Sequence, residues 1–190
     1  MKRLIDLVLS VSAVALLSPV MLIVALAIRL TSVGPALYRQ ARLGLHGKPF
    51  WLLKFRTMFR DSPDLRNPDG SAFSAAKDSR VTPIGGFLRA TSLDELPQLI
   101  NVIKGEMSLV GPRPDQVDQI RYYTETEKRK LLVKPGITGL AQISGRNAIS
   151  WSERKALEVQ YVDRHSTALD LKILLLTIPC VFRARGIHTS

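Results

Sequence analysis

The chain has 190 residues, enough for one domain, or one domain plus an appendage, with a real but modest core. Its 27 Lys and Arg against 16 Asp and Glu give a formal net charge of +11, which favours polyanionic partners: nucleic acid, anionic lipid headgroups or nucleotide phosphates. The single cysteine, Cys180, excludes an intrachain disulfide and a cysteine zinc cluster, and the scattered His46, His165 and His188 give little support to a histidine metal site or a Ser-His-Asp triad.

Leu7–Ile28 carries no charge and, at about 1.5 Å per residue, has the length of a membrane span. Ser18-Pro19 falls at its middle. Pro19 removes one backbone hydrogen bond and its ring clashes with the carbonyl of Ala15, which the Ser18 hydroxyl can re-satisfy. Each arm is then about 11 residues, or roughly 16 Å, reaching halfway through the hydrocarbon. Basic residues flank both sides: Lys2 and Arg3 before, Arg29, Arg39, Arg42 and Lys48 after. The positive-inside preference is best met if both ends stay cytoplasmic, as in a re-entrant hairpin. A Pro-kinked single span competes with this reading. So does a signal peptide, because Ala25-Leu26-Ala27 resembles a cleavage site.

Ala36–Gln40 and Pro49–Met58 read as short extended segments around Gly44-Leu45-His46-Gly47, predicting a hairpin with an apolar face of Phe50, Trp51 and Phe55. In Lys54-Phe55-Arg56, alternation sends both cations out on one strand face. Phe59–Ser79 is polar, with Pro63, Pro68 and Asp69-Gly70, and reads as a loop. Leu96, Leu99, Ile100 and Ile103 follow helical spacing that stops at Gly105, and Asp115–Lys130 repeats such a pattern. Lys134–Arg146 is Gly-rich and reads as irregular or tightly turned. Ser150 with Glu153 makes a capping-box pattern for a helix running toward Asp163. Leu169–Phe182 is apolar but carries Asp170, Lys172 and Pro179, which suits an interfacial helix better than a span.

The acid pair Asp94-Glu95 has two readings. Ser92-x-x-Glu95 fits a capping box, or Asp94 caps a helix with Pro97 in its first turn; acids at a helix start are common for these reasons alone. Alternatively, an ionised Asp94 ligates Mg²⁺ or attacks phosphorus, with the repulsion between anions cancelled by nearby Lys54, Arg89 or Arg113. Arg113 is held between the prolines of Gly111-Pro112-Arg113-Pro114.

Taken in order, these motifs resemble the bacterial polyprenyl-phosphate phosphoglycosyl transferases, or sugar transferases, of the small single-domain monotopic type. The resemblance covers Lys2 to Arg183. It rests on Ser18-Pro19, Lys54-Phe55-Arg56-Thr57-Met58, Ser92-Leu93-Asp94-Glu95-Leu96-Pro97-Gln98, Lys104-Gly105-Glu106-Met107-Ser108, Gly111-Pro112-Arg113-Pro114, Lys134-Pro135-Gly136-Ile137-Thr138-Gly139 and Gly145-Arg146-Asn147. It implies a re-entrant helix in one leaflet, broken at Ser18-Pro19, and transfer of a phospho-sugar from a UDP-sugar to a polyprenyl (undecaprenyl) phosphate with release of UMP. It implies that Asp94 is the nucleophile, forms a covalent phospho-sugar intermediate and lies at the Mg²⁺ site, while Glu95 assists in metal binding or proton handling. Lys54, Arg89 and Arg113 match phosphate-binding positions, and Arg146 a position near the nucleotide. Two departures stand out. Glu158, counted with the substrate-binding residues, replaces the relatives' usual Asp, and the Phe59–Ser79 loop follows no family pattern.

The expectation is a mainly α-helical monotopic membrane enzyme with a small β-hairpin. Residues 1–30 form the membrane helix and residues 31–190 a catalytic domain on the cytoplasmic face of the bacterial inner membrane. Its partners are a UDP-sugar, polyprenyl phosphate and membrane lipid. Two other classes fit parts of the sequence. A membrane adaptor docking acidic partners would keep its role after Asp94→Asn. A membrane-tethered nucleic-acid binder is suggested by charge alone, without recognition motifs or stacking aromatics, so no nucleic-acid partner is expected.

Overall fold

The structure is a computed structural model, and it describes residues 1–71, 73, 75, 78–145 and 149–182. Seven α-helices are described: α1 (Lys2–Thr31), α2 (Pro83–Thr91), α3 (Gln98–Lys104), α4 (Glu125–Lys128), α5 (Leu140–Ser144), α6 (Trp151–Arg164) and α7 (Thr167–Phe182). They surround two small sheets. Strands β1 (Leu37–Leu43) and β2 (Pro49–Phe55) form the expected antiparallel hairpin, in register Leu37 to Phe55 and Leu43 to Pro49. Strands β3 (Ser108–Val110) and β4 (Gly136–Thr138) form a parallel pair, although the sequence predicts irregular or tightly turned chain over Lys134–Arg146.

Helix α1 is long and apolar enough to cross a membrane by length and composition. Pro19 lies inside the helix and does not end it. The Ser18 hydroxyl donates to the Ala15 carbonyl at 2.9 Å, the group that Pro19 leaves without its N–H partner. Both ends of α1 dock on the same body. At the start, Lys2 Nζ pairs with Asp170 at 2.6 Å and donates to the Val110 carbonyl. Arg3 Nη2 donates to the Ile103 carbonyl near the C-terminus of α3, at 2.8 Å. The buried Asp6 carboxylate accepts from Ser108 Oγ at 2.9 Å and from the Leu109 N–H at 3.0 Å. At the other end, Val24 and Ile28 enter a core with Phe55 and Leu88. Between these anchorages Leu16, Leu22 and Ile23 are exposed, as are Leu175 and Ile178 on α7.

Phe50, Trp51 and Phe55 do not share one apolar face. Strand alternation separates Phe50 from the other two, and only Phe55 enters the α1 core. Trp51 is exposed beneath the Arg39 guanidinium. Asp115–Lys130 is not one helix: it forms a 3-10 segment (Val117–Tyr122), then α4, which Thr124 and Glu127 start with a capping box. Helix α6 begins with the expected Ser150–Glu153 capping box. Helix α7 continues past Asp170, which pairs with Lys2, and carries Pro179 inside it.

The glycines around the parallel pair allow backbone to meet backbone. A Cβ on Gly136 would lie 2.1 Å from the Gly111 nitrogen, and one on Gly111 would lie 2.4 Å from the Lys134 carbonyl oxygen. Neither neighbour is a flexible side chain, so neither can give way cheaply. Gly136→Ala is expected to destabilise the fold by about 3 kcal/mol, measured as a lowered denaturation midpoint in detergent.

Candidate active site

The acid pair does not start α3. Asp94 and Glu95 lie in a 3-10 turn (Leu93–Glu95) before it, and Pro97 is the residue that precedes the helix. Ser92 caps nothing with its side chain; it ends α2 in the left-handed conformation, at φ 58°. The expected Ser92–Glu95 capping box is therefore absent, because Glu95 is drawn to cations instead. Gly105 stops α3 in the left-handed conformation, φ 86°, as its position predicts.

Glu95 Oε1 accepts from Arg113 Nη2 at 2.6 Å and from Lys54 Nζ at 2.9 Å. Burial acts to raise the Glu95 pKa, but Arg113 and Lys54 outweigh it and hold the carboxyl well below the usual carboxylate range. Asp94 differs. Lys54 Nζ stands 3.9 Å from its Oδ2, and among the described residues nothing donates a hydrogen bond to its carboxylate. Asp94 is 8% exposed. Burial pushes its pKa up from the ordinary value, against the pull of Lys54, and the Glu95 charge adds to the rise. Two neighbouring carboxylates thus have opposite environments: one tied down by two cations, the other unbonded at the edge of a cavity.

That cavity is an open cleft of about 1660 Å³. Lys54, Arg89, Asp94, Glu95 and Arg113 all line it, so the structure brings together five of the residues expected from the sequence. Arg89 Nε donates to Thr57 Oγ1 at 3.0 Å; burial lowers its pKa and Asp94 partly offsets this. The Glu95 carboxylate raises the pKa of Arg113 further. The apolar side of the cleft includes Leu9, Ala13 and Leu17 of α1 with Leu174 and Ile178 of α7.

Arg56 does not act with Lys54. Strand β2 ends at Phe55, and the Arg56 guanidinium donates to the carbonyls of Ser32 and Pro35 just beyond α1. Arg146 lies outside the described residues. Glu158 is fully buried behind the Gly111–Pro114 turn and does not line the cleft. Its carboxylate accepts the Arg113 backbone N–H at 3.0 Å and pairs with Lys130. Its observed contacts therefore position Arg113 and do not face a ligand.

A buried support network was not foreseen. Asp115, next to the turn, accepts from Lys130 Nζ at 2.9 Å, Arg154 Nη2 at 2.7 Å and the Tyr123 hydroxyl. Burial raises the Asp115 pKa, but Lys130 and Arg154 reverse this and leave it well below the usual range. The only sequence signal was its place directly after Pro114.

Among the described residues no group of three or more His, Cys, Asp or Glu side chains is arranged to hold a metal. Mg²⁺ needs fewer protein ligands when substrate phosphates complete its shell. An unbonded carboxylate beside a cation-lined cleft meets that weaker demand.

A model of the bacterial sugar transferases matches residues 1–184. The chain belongs to this family. It is 48% identical over 192 residues to the uncharacterized sugar transferase EpsL of Bacillus subtilis (strain 168), covering 100% of this chain and 91% of that one. It is 41% identical to the exopolysaccharide production protein ExoY of Rhizobium meliloti (strain 1021), over 97% of this chain and 87% of that one. A UDP-glucose:undecaprenyl-phosphate glucose-1-phosphate transferase of Caulobacter vibrioides is 44% identical over 94% of this chain, which spans 68% of that longer sugar transferase.

Proposed function

We propose that this sugar transferase moves a phospho-sugar from a UDP-sugar to a polyprenyl phosphate, in two displacements at phosphorus centred on Asp94. The observation that carries this reading is the Asp94 carboxylate: buried, unbonded, and set at a cleft edge between Lys54 and Arg89. The relatives named as UDP-glucose:undecaprenyl-phosphate transferases supply the substrate class.

In the first displacement an Asp94 oxygen bonds to the β-phosphorus. The bond from that phosphorus to the bridging oxygen breaks, and UMP leaves with the oxygen and its electron pair. In the second, a phosphate oxygen of the polyprenyl phosphate attacks the same phosphorus. The Asp94 carboxylate is released and a polyprenyl diphosphate sugar forms. Lys54, Arg89 and Arg113 stabilise charge on the phosphoryl oxygens. Glu95, held ionised by two of these cations, fixes Lys54 and Arg113 at the cleft. A carboxyl held so low carries no proton near neutrality, which argues against proton handling and for an electrostatic or metal-binding part. Mg²⁺, held by Asp94 and by substrate phosphates, would neutralise diphosphate charge.

The membrane arrangement belongs to the same reading. Helix α1 dips into one leaflet and bends back at Pro19, where its backbone lacks one hydrogen bond; that both of its ends pack on the catalytic body while apolar residues between them are exposed supports this. A single span would carry one of these anchorages across the bilayer. A signal peptide cut after Ala27 would remove Val24 from a formed core. The basic surface then faces anionic headgroups on the cytoplasmic side of the inner membrane. The test is direct. Detergent-solubilised protein with Mg²⁺, polyprenyl phosphate and a panel of UDP-sugars should release UMP with at least one of them. Silence across the panel defeats the reading.

A further inference from the structure

Arg42 is absent from the motifs that define the site, yet it lies in the cleft. On β1 it shares a face with Gln40 and Tyr38, and Tyr38 is paired across the hairpin with Lys54. All four residues line the cleft. At about 3.4 Å per residue, Arg42 lies roughly 14 Å along the strand from the Tyr38–Lys54 row.

The Arg42 guanidinium is held entirely by neutral groups. Nη2 donates to Gln40 Oε1 at 2.6 Å and Nη1 to the Pro114 carbonyl at 3.3 Å, while Nε is buried without a partner. Among the described residues no carboxylate comes within ion-pairing distance of it. Asp115, the carboxylate whose charge acts on it, is already occupied by Lys130, Arg154 and Tyr123. A half-buried cation with no direct carboxylate partner is costly, Asp115 offsetting only part of that cost, and such a group in a cleft suits a ligand that supplies the charge. Burial first, and repulsion from Arg113 second, pull its pKa down to about 10, so it stays cationic near neutrality.

We infer that Arg42 is a further anion-binding residue of the donor site, where its guanidinium takes a phosphate oxygen on the nucleotide side of the UDP-sugar diphosphate, beyond Arg113. Two positions favour the nucleotide over the lipid phosphate. The start of the hairpin packs beside α1, with Ala36 and Phe55 against Val24 and Ile28. Arg42 lies at the opposite end, next to Leu43, which packs with Tyr123 and Trp151. A water-soluble donor reaches that end, whereas a lipid phosphate approaches from the apolar side. The carbonyl of Pro114 also ties Arg42 to the turn that presents Arg113, so the two guanidiniums form one fork-lined wall.

This inference rests on the phosphoglycosyl transfer reading, and the experiment separates the two. Full-length wild type, Arg42→Gln and Arg42→Lys are assayed for UMP release with each substrate varied in turn, and for binding of UDP and UMP by thermal shift. For Arg42→Gln, KM for the UDP-sugar should rise by about 10- to 100-fold, with KM for polyprenyl phosphate unchanged. Stabilisation by UDP should fall in parallel. Arg42→Lys should recover only part of the loss, because a point charge replaces a fork. Unchanged donor KM and UDP binding in Arg42→Gln overturn the assignment, and so does a rise confined to polyprenyl phosphate. If the Gln protein fails to fold, the Lys protein decides: wild-type donor KM and UDP binding there overturn the fork. Wild-type protein inert with every UDP-sugar defeats the transfer reading instead, and UDP binding by the variants still tests Arg42.

Discussion

Asp94→Asn protein should release UMP at least about 10⁴-fold more slowly than wild type, while its denaturation midpoint stays level or rises. The activity loss follows because an amide offers no anionic oxygen to phosphorus. The stability result follows from linkage. A carboxyl whose pKa is raised in the folded state favours folding below its ordinary value and opposes it once ionised. Burial raises Asp94 in this way, so ionised Asp94 costs the protein stability near neutral pH. Removing that charge relieves the cost. The same shift sets the pH profile: the rate should climb on an acid limb displaced above the ordinary aspartate range, because attack needs the ionised form. An Asp94→Asn protein as active as wild type would remove the nucleophile from the mechanism. One that is inactive and also unfolded would make Asp94 structural. Glu95→Gln should behave differently: it loses activity through a disturbed Lys54 and Arg113, while the acid limb set by the burial of Asp94 persists and eases only by the Glu95 contribution.

Lys130→Met should destabilise the protein by about 3–5 kcal/mol, a larger effect than any exposed charge change in the chain. Lys130 is buried between Asp115 and Glu158 and pairs with both, whereas Arg154, which also reaches both, is only partly buried and stands 3.9 Å from Glu158. Burial alone would lower its pKa, but the two carboxylates raise it. Methionine fills a similar volume and leaves both carboxylates inside, with Arg154 as the remaining counter-charge, close to Asp115 and more distant from Glu158. Chemical denaturation of the two proteins side by side measures the difference. The pH dependence has the opposite sign to that of Asp94. The depressed Asp115 carboxyl contributes stability that is present above its ordinary value of 3.8 and is lost as pH falls below it. Wild type should therefore soften in acid more steeply than Lys130→Met. Equal midpoints at neutral pH would mean that the network carries no net stability.

The sequence made visible whatever is decided locally. The hairpin is readable from two apolar runs around Gly44–Gly47, the start of α6 from Ser150 and Glu153, and the end of α3 from Gly105. The Ser18 hydroxyl beside Pro19 is likewise a four-residue matter. What stayed hidden depends on residues far apart in the chain. Strands β3 and β4 have three residues each, and only Gly111 and Gly136 in contact make them a sheet. The capping box at Ser92–Glu95 is sound locally but loses to two cations, from β2 and from the Pro-flanked turn. Asp115–Lys130 shows a helical rhythm, yet Thr124 restarts the chain in its middle. At the site, four residues named from the sequence, Asp94, Lys54, Arg89 and Arg113, come together along one cleft. The sequence could not show that Glu158 stands behind Arg113, because both a ligand contact and a backbone support call for a carboxylate.

The docking of α1 at both ends has a practical corollary. Trimming residues 1–30 to obtain a water-soluble fragment would strip Ser108 and the Leu109 amide of their Asp6 acceptor and uncover Phe55 and Leu88. The leading helix is thus interior as well as anchor. A purification that keeps this protein folded must keep its greasy segment too, and a swap of this helix between relatives must carry its docking residues with it.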